Sequence, residues 1–168
     1  MNGIGKIKDI VILGLLLILA IWLSPFILIG VISYLAYRAY KIFLQKKLFK
    51  EIRQEWFSKN QHIFFLYSDS KKWKDYFEKE IIPKIQSKAS VWNWSTRQKD
   101  GWNNNSIEAK ILKLYRPIGF FYPMAFVILP SGQIKIFQFY QSYVKMLKSG
   151  NEEYKRLEKE FLKLADSL

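Results

Sequence analysis

Hydrophobic and polar positions divide this chain sharply. From Ile10 to Tyr37 there is no charged residue, an uninterrupted apolar run of 28 positions. About 20 apolar residues suffice to cross a bilayer, so the run is read as a transmembrane helix. At 1.5 Å per residue it would measure about 42 Å, more than the roughly 30 Å hydrocarbon core, and tilt or a kink absorbs such an excess. Ser24 and Pro25 lie near its middle. A proline there bends a helix, or turns it into a re-entrant hairpin whose arms are too short to cross; both forms stay open. No small-x-small cleavage site follows Leu23, which speaks against a cleaved signal peptide.

Beyond the run the period becomes helical with one apolar stripe. Tyr37, Tyr40, Leu44, Leu48, Ile52 and Trp56 recur every three or four residues, while Arg38, Lys41, Lys46, Lys47, Lys50 and Arg53 fill the other positions. This basic amphipathic helix either packs on the following domain or lies on anionic lipid headgroups. Lys and Arg outnumber acids far more on this side of the apolar run than on the other. The positive-inside bias therefore places the C-terminal part in the cytoplasm. The expected layout is an anchor at 1–37, a juxtamembrane helix at 38–60 and a soluble domain at 61–168.

Within that domain the apolar run His62–Tyr67 is expected as a strand, with Ser68, Asp69 and Ser70 capping the next helix. Trp73, Phe77, Ile81 and Ile85 stripe that helix, which Pro83 bends or shortens. Residues 90–96 give a second strand, with Trp92 and Trp94 on one face. Ser106 caps a helix over 107–115. Residues 122–129 and 134–140 are two further strands joined by turn chemistry at Pro130, Ser131 and Gly132. A last helix carries Tyr154, Leu157, Phe161 and Leu168 on one side. The order is β-α-β-α-β-β-α, an α/β domain whose first two strands are parallel.

Composition narrows the chemistry. The 168-residue chain has a net charge of +13, no cysteine and one histidine. Such a basic balance beside a membrane points to anionic headgroups. Nucleic acid is not expected, because no helix-turn-helix, zinc-finger or RNA-recognition signature is present. One histidine without cysteine does not make a conventional zinc site, and no glycine-rich phosphate loop follows a strand, so no cofactor is expected. His62 is read as structural and Asp69 as a helix cap.

The pieces IFFLYS, VWNWS and YPMAFVILPSGQIKIFQFY, with the terminal helix, resemble the thioredoxin fold over residues 61–168. That resemblance implies a cis peptide between Tyr122 and Pro123 and an active-site loop corresponding to residues 95–105. The family's redox pair is missing, so thiol–disulfide chemistry is excluded. What remains is a redox-inactive thioredoxin-like domain that binds a partner protein, with Trp94, Arg97, Trp102, Tyr122 and Pro123 as its candidate groove. A non-thiol transferase using the 95–105 loop and a structural subunit of a membrane complex are the alternatives.

Overall fold

The computed structural model describes residues 3–96, 103–117, 119, 122–150 and 152–168. It divides into two compact units, residues 1–44 and 45–168.

The first unit is helical throughout its described length. Helix α1 (Gly3–Glu55) runs through Pro25 without a break, so no hairpin turn forms at Ser24 and Pro25. Its apolar side chains point outward, including Trp22, Phe26, Ile29, Ile32 and Leu35. A helix apolar on all sides is at home in lipid. Among the described residues this is the one helix long and apolar enough to cross a membrane. Arg38 closes the run by donating to the Tyr34 hydroxyl at 3.1 Å and sitting 5.9 Å from the center of its ring.

The second unit is an α/β domain, and it includes the last turns of α1. Its four-stranded sheet has the order β2-β1-β3-β4. The strands are β1 (Ile63–Tyr67), β2 (Ala89–Asn93), β3 (Met124–Ile128) and β4 (Ile134–Gln138). β1 pairs parallel with β2 and antiparallel with β3, and β3 pairs antiparallel with β4. Every residue of β1 and β3 is buried, as near-continuous apolar runs require when both faces of a sheet are covered.

Strand alternation sorts these residues into two cores. Ile63, Phe65 and Tyr67 face α2 (Lys74–Tyr76), the π-turn Phe77–Ile81, α3 (Ile82–Ile85), α5 (Phe139–Ser149) and α6 (Glu153–Asp166). Phe65 is central there, with the rings of Phe77, Phe139 and Phe161 at 5.5, 6.1 and 6.2 Å. Phe64 and Leu66 face α4 (Ile107–Tyr115) together with Leu48, Ile52 and Trp56. Leu48, Ile52 and Trp56 of the amphipathic stripe thus belong to the core of the unit that begins at Gln45. Gly132 in the β3–β4 turn seals this packing. Its φ is +89°, and a Cβ there would lie 3.2 Å from the Phe49 ring.

Three local expectations change. The strand expected over 134–140 ends at Gln138, and Phe139 opens α5, an extra helix between β4 and the terminal one. Phe139, Tyr143 and Met146 pack on the first core at helical spacing. The helix over 71–86 starts only at Lys74 and is split by the π-turn. Pro83 lies two residues past its end: a proline lacks the N–H and clashes with the carbonyl four residues back, and a widened turn relieves both. Asp69 is not a helix cap; the Ser70 carbonyl takes the N–H groups of Trp73 and Lys74 instead.

Candidate functional site

The carboxyl ends of the parallel strands β1 and β2 lie side by side, where open α/β sheets form their crevices. The chain leaves β1 through Ser68 and Asp69 and leaves β2 through Trp94 and Ser95, and polar contacts lock the two exits together. The Trp94 N–H donates to the Tyr67 carbonyl at 2.7 Å, extending the ladder past the strand. The Asn93 amide donates to the Asp69 carboxylate at 2.8 Å, and the Asp69 N–H donates to the Ser95 hydroxyl at 3.0 Å. The Asn93 side-chain oxygen in turn accepts from the Ser95 N–H at 2.9 Å. Lys74 pairs with Asp69 at 2.8 Å and reaches Glu78 at 4.0 Å, and Glu78 accepts from the Tyr67 hydroxyl at 2.8 Å.

Against this frame stands an aromatic pair. The Trp94 and Tyr122 rings are 5.0 Å apart and inclined by 31°, both half-buried at the margin of the second core. The Tyr122–Pro123 peptide is cis. Pro123 is buried, and its carbonyl accepts from the Phe139 N–H at 3.0 Å, tying the start of β3 to the start of α5. Of the groove residues expected from sequence, the fold brings Trp94 onto Tyr122 beside Pro123. Arg97 and Trp102 lie outside the described residues.

Asp69, Asn93, Ser95, Tyr67, Lys74 and Glu78 were not among the expected site residues. A signal for the first three existed: a β-α-β reading with parallel strands already places residues just after β1 beside residues just after β2.

Two groups of the frame, Tyr67 and Lys74, are held in their protonated forms. Burial first, then the bond to Glu78, pushes the Tyr67 phenol well above its ordinary range. The Asp69 hydrogen bond holds the Lys74 ammonium above its own. A general acid or base works best with a pKa near the operating pH, and these groups are shifted away from it. No cluster of potential metal ligands occurs among the described residues.

The basic residues before the domain divide between the units. Arg38 and half-buried Lys41 belong to the first, and Lys46, Lys47, Lys50 and Arg53 are exposed on the second. Arg53 lies 5.6 Å from the center of the Phe49 ring. The same turns of α1 carry Glu51, which takes Lys110 of α4 at 2.6 Å inside a cleft of about 440 Å³. Glu108, also in this cleft, accepts from the Ser90 hydroxyl at 2.7 Å. These paired carboxylates make the cleft a seam between α1 and α4.

Comparison with protein-family models, with curated proteins and with solved structures finds no match.

Proposed function

We propose that this chain is a single-pass membrane protein whose cytoplasmic domain, thioredoxin-like in build and without thiol chemistry, binds a partner protein at the carboxyl end of its parallel strands. The observation that carries the reading is the Trp94–Tyr122 pair, set on the Asp69–Asn93–Ser95 frame. Half-buried aromatics on a rigid frame anchor partners at small entropic cost. Groups held far from neutral pKa values favor binding over proton transfer. The strand order and pairing directions support the thioredoxin-like build. The cytoplasmic placement rests on the basic residues that follow the apolar run.

The exposed Lys46, Lys47, Lys50 and Arg53, joined by Arg38 and Lys41, attract anionic lipid headgroups in this reading. Leu48, Ile52 and Trp56 are committed to the domain core. The attraction is therefore electrostatic and leaves no apolar stripe of these turns to insert.

A photoreactive amino acid placed at position 94 in native membranes tests the groove. The expected result is a discrete protein adduct that disappears when Tyr122 is changed to alanine, with none from position 84 on the exposed part of α3. Equal labeling from both positions, or turnover of a small molecule by the purified chain, would overturn the reading.

A further inference from the structure

The sheet has two edges, and they are built differently. β4 carries exposed Lys135, paired with Glu160 at 3.1 Å, and a charged edge discourages strand addition. β2 reads Ala-Ser-Val-Trp-Asn, with neither charge nor proline. Its even-numbered neighbors face β1: the Lys88 carbonyl accepts from the His62 and Ile63 N–H groups, and the Trp94 N–H donates to Tyr67. By strand alternation, Ala89, Val91 and Asn93 direct their main-chain groups away from the sheet. The Asn93 carbonyl is taken by the Thr96 N–H and hydroxyl at 3.3 and 3.2 Å. The outward main-chain groups of half-buried Val91 have no partner among the described residues, while Ala89 is buried.

We propose that β2 is a self-association edge, on which a second copy of this chain pairs antiparallel about a two-fold axis at Val91 and joins the two sheets. In that register Val91 exchanges both main-chain hydrogen bonds with Val91 of the second copy. Trp92 of each copy stands opposite Ser90 of the other, large against small. On the other face Val91 meets Val91 and Ala89 meets Asn93, so no like charges oppose each other. A two-fold axis one residue earlier, at Ser90, would bring together the two Glu108 carboxylates that accept from the Ser90 hydroxyls. Side-chain size and charge thus favor the register centered on Val91. Surface charge of one sign resists association, but beyond about 8 Å it is screened at physiological ionic strength. Confinement of the copies to one membrane plane raises their effective concentration.

The absence of cysteine makes the test direct. Opposed residues of a hydrogen-bonded antiparallel pair have Cα atoms about 5.5 Å apart, inside the roughly 4.4–6.8 Å that a disulfide spans. Full-length Val91→Cys in membranes, mildly oxidized, should run mostly at twice its mass, while Ile136→Cys on the β4 edge stays monomeric. Val91→Pro removes an outward N–H at a position where an edge strand tolerates proline. In mild detergent the native chain should elute as a dimer and Val91→Pro as a folded monomer. The proposal is overturned if Val91→Cys cross-links no better than Ile136→Cys, if it cross-links to a different protein in place of itself, or if the native chain is monomeric at every concentration. Should Val91→Pro fail to fold, the cross-link alone decides.

Discussion

At the scale of single residues, the frame at the carboxyl ends of β1 and β2 depends on Asn93. Its amide donates to Asp69 and its side-chain oxygen accepts from the Ser95 N–H, so one short side chain spans both strand exits. Asn93→Ala should cost about 1 kcal/mol of stability in denaturant titration, the low end for two lost hydrogen bonds that are both exposed. It should also weaken capture at position 94, because Trp94 follows directly. His62 supplies a pH dependence. It is buried, stacked at 4.6 Å on Phe57, and its Nδ1 has no partner among the described residues. Burial chiefly, with Lys88 adding to it, lowers its pKa; a backbone hydrogen bond at Ile128 opposes the shift. The unfolded chain therefore binds a proton at a higher pH than the folded one. Stability held at neutral pH should fall as pH drops through about 6.5 and level off below the folded pKa, with a slope of at most about 1.4 kcal/mol per pH unit. Comparing native and His62→Phe chains isolates this term. Identical pH profiles for the two would refute it.

At the scale of elements, the last turns of α1 are as much a part of the domain as α4. Leu48, Ile52 and Trp56 are buried against Phe64, Leu66 and Phe126. Trp56→Ala should cost about 3–5 kcal/mol, as for other large aromatic truncations in a core. A fragment starting at residue 61 should unfold at clearly lower denaturant than one starting at 45; equal midpoints would show that this packing is dispensable. Gly132→Ala should also destabilize, by about 1 kcal/mol or more, because alanine resists a φ of +89° and its Cβ would crowd Phe49. The stripe itself was legible in the sequence, but what it packs against was not, since lipid and a sheet face both cover an apolar stripe. The central strands β1 and β3 were legible because an apolar run bounded by turn residues admits few other forms. α5 escaped notice because Phe137 and Phe139 share a core: the alternation of β4 runs into the first helical position without a polar break. Trp94 stood out as one of two tryptophans on one strand face and Tyr122 as the residue before a proline, whereas the Asp69–Asn93 contact joins residues 24 positions apart. Only the parallel pairing of β1 and β2 brings them together.

At the scale of the whole molecule, charge governs what surrounds the domain. The chain carries +13, while Glu51, Glu78, Glu108, Glu158 and Glu160 accept hydrogen bonds within the fold. Part of the acidic complement is thus engaged internally, and Lys46, Lys47, Lys50 and Arg53 project from the turns of α1 that enter the domain. Each basic residue near an anionic leaflet contributes about 1 kcal/mol, falling off within a Debye length. A fragment of residues 45–168, which keeps these side chains and the second core, should therefore cosediment with vesicles containing phosphatidylserine and not with neutral ones. Raised salt should release it. Changing Lys46, Lys47 and Lys50 to glutamine should lower its partition by up to about 100-fold, the equivalent of about 1 kcal/mol for each residue. Burial of Leu48, Ile52 and Trp56 sets the sign of the control. Because these side chains are occupied in the core, the binding should owe nothing to apolar insertion, and neutral vesicles of high curvature should not rescue it. Equal binding to neutral and anionic vesicles would show that the apolar stripe leaves the sheet to enter lipid, and the basic side chains would then be bystanders.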